Sequence, residues 1–479
     1  MAPSREYGRR PRRLATTSLV IVLSYVPAAV ATELQSDQSS LPVAADCRDD
    51  DQLAPANQPA GESASAERDS AAAVARTRFL NGDLAGALDA WNSVEEPKIR
   101  CVNVDGLVRT RRSAIIEYLG TRDGEVFTAE ALARINRRIS ELTFASRTPA
   151  RFDPGPDGST TVTPIVMERG VLPAGIYGWG GVAIRAAFMQ DIRVRIVSPT
   201  GNGEVWTPSY RWSTHRPRAM LRFDAPTPGR FPGMVSGLAM AERQTYRHQA
   251  LGGEFRESRY RVGGALSDWV TSWLRWEGGA AFDRIGPASR LALEGSLNAR
   301  AFDDRLALIA SAGHWQGTSA SRSFSTREFV ATLRSTPIPD QPVVLAVAGV
   351  ADVTKGAPLA VWPAASTAEG RGAFLRAHPL RSDSIISGEA FGRTLLFSTV
   401  EYEHPYPTRF GTVAVVGFVD GARASRRLDN SATPFHIDVG TGIRLNPLSA
   451  GAIRFEVGYG LRDRRLRASA GYVATWGIR

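Results

Sequence analysis

The sequence predicts a mainly β chain whose C-terminal part is a transmembrane β-barrel of about sixteen antiparallel strands, preceded by a helical hairpin and a small α+β module. Three observations carry that expectation. Apolar and polar residues alternate through long segments of residues 171–479. The polar face of those segments carries charges and glycines, which suits a hydrated lumen better than a dry core. The mean hydropathy of −0.17 excludes a polytopic helical membrane protein but fits strands that are polar on one side.

Composition excludes several classes. A chain of 479 residues with 43% hydrophobic and 22% charged content is not largely disordered. Two cysteines, Cys47 and Cys101, exclude a disulfide scaffold and any Cys-rich metal module. The net charge is +10, yet of 58 basic residues only Lys98 and Lys355 are lysines. That arginine bias reads as codon composition, and no nucleic-acid recognition motif accompanies it. No nucleophile elbow, phosphate loop or zinc-binding helix motif occurs, and the six histidines are scattered. The expectation is a protein that is not an enzyme, with no catalytic residues, no metal and no cofactor.

Taken in order, residues 1–31 read as a signal peptide. Arg9, Arg10, Arg12 and Arg13 precede the apolar stretch Leu14 to Val30, and Ala29-Val30-Ala31 supplies small residues for cleavage. Residues 32–70, rich in Ser, Ala, Gln, Pro and Asp, read as a flexible acidic linker. Residues 71–96 read as a helical hairpin. Ala71, Val74, Ala75 and Arg78 recur at helical spacing, Gly82-Asp83 breaks and caps, and Leu84, Ala87, Leu88 and Trp91 recur again.

Residues 97–170 read as β-α-α-β-β. Ile99 to Val104 alternates, Ile115, Ile116 and Leu119 mark one helix, and Thr128 caps a second bearing Leu132, Ile135, Ile139 and Leu142. Two strands close the module, at Arg147 to Phe152 and Thr160 to Glu168. Cys47 and Cys101 both fall outside the barrel, where an oxidising compartment allows either a disulfide or two thiols.

Residues 171–479 read as the barrel. Leu291, Leu293 and Leu297 oppose Glu294 and Asn298; Ile437, Val439 and Ile443 oppose Asp438 and Arg444; Phe455, Val457 and Tyr459 oppose Arg454 and Glu456. Such runs are long enough for tilted strands to cross a bilayer. Candidate strands centre between residues 194 and 472, one of them near residue 388, after a long gap from Thr354 to Ser382.

Two stretches carry family resemblances. VNVDGLVRT, the helix pair and TTVTPIVMER resemble a POTRA domain. POTRA domains add extended chains to a strand edge, which places a client-binding edge at Thr161, Val162, Thr163 and Ile165. GRGAFLRAHPLRSD, followed by STVEYEHPYPTRFGTVAVVGFVDGARAS, resembles the barrel of the BamA/TamA-type outer-membrane assembly and secretion superfamily, the bacterial surface antigen family. In that family a long loop folds back into the lumen and its tip arginine pairs with acids on neighbouring strands. The resemblance assigns the arginine to Arg376 and the acids to Glu401 and Asp420. Parity agrees, since Glu401 alternates with Val400 and Tyr402, and Asp420 with Val419. Ala377 and His378 stand where the family has a glycine and an aromatic.

The resemblance implies a bacterial outer-membrane barrel, with its N-terminal part in the periplasm, that inserts or translocates client polypeptides. Its implied partners are unfolded or nascent outer-membrane or secreted polypeptides, outer-membrane lipids and accessory periplasmic proteins. Two further readings remain open at this point: a dedicated two-partner-type secretion pore for one exoprotein, and a passive structural pore.

Overall fold

The computed structural model describes residues 62–473, except 147–148, 156, 174, 228–232, 319–320, 339–340, 368–372, 410 and 448–451. The segment read as a signal peptide, Cys47 and the last residues of the chain lie outside the described residues.

The hairpin comprises α1 (Glu62–Leu80) and α2 (Leu84–Asn92). Helix α1 begins inside the stretch read as a linker, because the alanines from Ala64 onward favour helix. Asp83 caps α2 by accepting from the Gly86 N–H at 2.9 Å. Ala75, Ala87, Leu88 and Trp91 are buried, whereas Val74 and Leu80 face solvent. Phe79 and Trp91 stack edge-on against Phe152, so the hairpin's apolar face is spent on the domain that follows.

That domain comprises β1 (Lys98–Val102), α3 (Arg112–Leu119), α4 (Ala129–Glu141), β2 (Ala145–Ser146), β3 (Arg151–Pro154), β4 (Ser159–Thr163) and β5 (Met167–Glu168), so that a short extra strand, β2, precedes the two expected after the helices and the stretch read as one strand from Thr160 to Glu168 is split into β4 and β5. Thr128 caps α4 by accepting from the Ala131 N–H, and Leu132, Ile135 and Ile139 are buried. Cys101 on β1 is disulfide-bonded. The sheet runs β1-β4-β3, which corrects one expectation. Thr161, Val162 and Thr163 sit on the middle strand, paired to β1 on one side and β3 on the other. Ile165 follows them in an isolated bridge to Asp105. Alternation in TTVTPIVMER marked a strand correctly but carries no information about which strands flank it. The outer strand opposite β1 is β3.

Helix α5 (Gly175–Met189) comes next, where barrel sequence was expected. Its glycines, Gly175, Gly178, Gly180 and Gly181, depress helix propensity and hid it from a periodicity reading.

From Asp191 onward the chain closes into a barrel. Its wall comprises β6 (Asp191–Arg193), β7 (Ile196–Val197), β8 (Val205–Arg211), β9 (Arg218–Pro226), β10 (Met234–His248), β11 (Gly253–Trp269), β12 (Leu274–Ile285), β13 (Ala288–Ala301), β14 (Leu306–Gly317), β15 (Phe324–Arg334) and β16 (Val343–Val353). After a long loop it resumes with β21 (Thr394–Thr408), β22 (Gly411–Ser425), β23 (His436–Pro447), β24 (Ala452–Gly460) and β25 (Leu466–Val473). Successive wall strands from β8 on pair antiparallel, and β16 pairs directly with β21.

Outward positions are apolar and exposed, as at Val262, Leu293, Leu297, Val400, Val419 and Phe455. Trp273, Trp276 and Tyr406 sit toward the end nearest the α+β domain, while Phe255, Phe282 and Phe435 sit toward the far end. An apolar belt between aromatic rims is the exterior a bilayer requires.

The strand expected near residue 388 is not part of the wall. Between β16 and β21 lie β17 (Ala365–Ser366), β18 (Ala373–Phe374), β19 (Arg381–Ser382) and β20 (Ile385–Ile386). Strands β19 and β20 pair with each other, and Ile386 bridges to Tyr246. Leu380, Ile386 and Phe391 pack with Tyr246, Trp315 and Phe324, and Leu375 packs with Leu395, Phe397 and Ala422. This segment has its own apolar core, shared with the inner wall, so it folds inward rather than into the sheet.

Candidate functional site

The tip of this in-folded loop meets β21 to β24. Leu375, Arg376 and Ala377 are all buried, and the Arg376 side chain has no exposure. Arg376 Nη2 donates to Glu401 Oε2 at 2.7 Å, and its Nε lies 3.5 Å from Asp420 Oδ2 and 3.5 Å from Glu456 Oε2. The backbone joins in: Arg376 N–H donates to Asp420 Oδ2 at 3.2 Å, and Ala377 N–H to Asp438 Oδ2. Thr399 holds the other Asp420 oxygen at 2.6 Å. The guanidinium also lies between two rings, 3.9 Å from the Phe418 centroid and 4.6 Å from that of Phe374.

The three residues chosen from sequence, Arg376, Glu401 and Asp420, are thus brought together. Each acid comes from the inward face of its strand, and the cross-strand register sets Thr399 opposite Asp420. The sequence reading missed Glu456, Asp438, Arg444 and Arg454. Arg444 Nη2 lies 2.6 Å from Glu401 Oε1 and 3.6 Å from Glu456 Oε1, and Arg454 stacks over Phe374. The cage therefore sets Arg376, Arg444 and Arg454 against Glu401, Asp420 and Glu456, a balance that buried charges require. Parity already put Asp438, Arg444, Arg454 and Glu456 on the polar face; nothing in one sequence said that the same loop tip would reach all of them. Gly458 is the other missed residue. A Cβ there would stand 3.0 Å from the Ala377 nitrogen and would press on the buried tip where it lies against β24.

His378 closes the tip. Its Nδ1 lies 2.9 Å from Asp438 Oδ1 and its Nε2 3.0 Å from Asp463 Oδ2. The His436 ring stands 4.4 Å away, and Glu389 lies beyond it. Burial alone would lower the His378 pKa, but the carboxylates of Asp438 and Asp463 together raise it above the ordinary value. A histidine whose folded pKa is raised stabilises the fold fully below its unfolded pKa and stops doing so as pH rises through the folded one. Protection of the loop from protease should therefore weaken as pH climbs above neutrality. His378→Gln should flatten that profile; an unchanged profile would assign the pH dependence elsewhere.

A second constellation joins the α+β domain to the barrel. The polar face of α4 lies on the turns after β11 and β13. Arg138, only 4% exposed, donates to Asp268 Oδ1 and Oδ2 at 2.9 and 2.8 Å. Glu141 accepts from Trp269 Nε1 at 2.9 Å and lies 2.6 Å from Arg275 Nε. Arg137 pairs with Asp304, and Glu130 accepts from Ser272. Burial opposes ionisation of Asp304, yet Arg137 holds its carboxyl below the usual range. The apolar core is continuous across the junction, with Val197, Val205 and Met234 of the barrel rim among the domain's own residues. In the sequence this face looks like the solvated side of an amphipathic helix; only the fold supplies its partners.

No family model matches the chain, and no curated protein does. Solved structures do. CdiB from Escherichia coli aligns with 92% of this chain and 96% of its own, at 10% identity and a TM-score of 0.54. CdiB from Acinetobacter baumannii aligns with 79% of this chain and 73% of its own, at 11% identity and a TM-score of 0.50. BamA from Haemophilus ducreyi lacking POTRA domains 1–3 covers 78% and 84%, at 11% identity and a TM-score of 0.47.

Proposed function

We propose, from the barrel fold this chain shares with CdiB, that it is a bacterial outer-membrane protein that inserts or translocates polypeptides. One observation carries the proposal beyond the fold. An in-folded loop fills part of the lumen and is held by a buried arginine in a cage of wall carboxylates. A passive pore gains nothing from such a device, whereas a barrel that must stay shut until a client arrives does. The N-terminal domain lies in the periplasm in this reading and receives the client there. Its capture edge is the outer strand β3, which among the described residues pairs with a strand on one side only; the middle-strand residues Thr161 to Thr163, paired on both sides, cannot serve.

Insertion and dedicated secretion separate in one experiment. Depleting the protein and comparing the outer-membrane and secreted proteomes should show loss of several barrels if it inserts, or of one exoprotein if it secretes. Unchanged proteomes would leave only a passive pore.

A further inference from the structure

The lumen holds a second charged cluster in which the acids run short. Asp191 opens β6 on the inner face and is fully buried. Three guanidinium groups converge on its Oδ2: Nη2 of Arg185 at 2.8 Å, of Arg211 at 3.0 Å and of Arg218 at 3.3 Å. They come from α5, β8 and β9. Arg193, two residues along β6, interacts electrostatically with the same group, and Glu242 is the other acid that Arg218 feels. Among the described residues, Asp191 Oδ1 has no hydrogen-bond donor, and the Nε atoms of Arg185, Arg193, Arg211 and Arg218 have no acceptor. Ser209 Oγ, on the same face of β8 as Arg211 and 8% exposed, likewise has no hydrogen-bond partner among the described residues.

The cage around Arg376 matches arginines with acids; here four arginines face two. Buried guanidinium groups left with unused donors are costly, and an acceptor-rich anion relieves both the repulsion and the unmade hydrogen bonds. We propose that this cluster is an anion site for a phosphate group, carried by inorganic phosphate or by a lipid headgroup. The forks of Arg185, Arg211 and Arg218 suit a tetrahedral oxyanion, and the Ser209 hydroxyl can add a donor. The side chains of Arg185 and Arg218 keep 14% and 16% exposure, so the cluster is not sealed from solvent. A bound phosphate ties helix α5 to the first strands of the wall.

The full chain in a nonionic detergent is titrated with inorganic phosphate against chloride at matched ionic strength, reading the unfolding midpoint. Phosphate should raise the midpoint where chloride does not. Arg211→Gln and Arg218→Gln should each weaken the apparent affinity about tenfold, as loss of one charge-assisted fork implies. Asp191→Asn removes the competing internal anion and should strengthen it, which keeps the test open if an arginine variant fails to fold. A short-chain phosphatidic acid binding more tightly than phosphate, with the uncharged diacylglycerol inert, assigns the lipid source; equal or weaker binding assigns free phosphate. No phosphate-specific shift, or a shift indifferent to all three substitutions, overturns the site.

Discussion

Arg376→Ala should release the in-folded loop while the barrel stays folded. The side chain is wholly buried among Glu401, Asp420 and Glu456, so its removal leaves carboxylates facing one another with one guanidinium fewer. Breaking one partner out of a buried ion pair costs about 3–5 kcal/mol, because the remaining charge is stranded. The cost falls on loop docking and not on the wall, since β16 and β21 pair directly beneath the loop. The expected readouts are rapid protease cleavage within residues 354–393 and larger, fluctuating conductance in planar bilayers, with heat-modifiable barrel migration retained. Arg376→Lys should fall between wild type and alanine. It keeps the charge but loses the planar fork and most of the stacking between Phe374 and Phe418. Wild-type conductance from the alanine variant would mean that the cage does not hold the loop.

The second large effect concerns the junction of the α+β domain with the barrel. Arg138→Ala should loosen that domain, because it strands Asp268 and removes a bidentate pair that is almost entirely dry. Coupling energies for close, desolvated charge pairs run from about 1.5 to 7 kcal/mol. A double-mutant cycle between Arg138→Ala and Asp268→Ala should therefore show coupling well above the ~0.2–1 kcal/mol of exposed pairs. Spin labels on α4 and on the turn after β11 should report a narrow distance distribution in wild type and a broad one in Arg138→Ala. A narrow distribution in both would show that the shared apolar core alone fixes the domain.

Inward or outward facing was legible wherever a strand alternated, so Glu401, Asp420, Asp438, Arg444 and Glu456 could all be placed on the lumenal face. Period two gives a face but not a neighbour. That limit explains the misplaced edge at Thr161 to Thr163, where the strand was right and its flanks were not. It also explains Glu456 and Asp438, whose link to the loop depends on how deeply the tip at Leu375, Arg376 and Ala377 reaches inward. The strand expected near residue 388 failed for a related reason: Leu380, Ile385 and Ile386 are apolar because they pack inside the lumen, not because they face lipid. Helix α5 was hidden by its glycines. The docking face of α4 was hidden because a charged stripe on a helix looks the same whether water or another domain covers it.

The central claim is that the caged loop serves the handling of polypeptides. Its most direct test is complementation of a depleted strain with wild type or Arg376→Ala at equal barrel abundance, scored by quantitative proteomics of the outer membrane and the medium. Restoration by wild type and not by Arg376→Ala is the predicted result. Equal restoration by both, or no client lost on depletion, would contradict it.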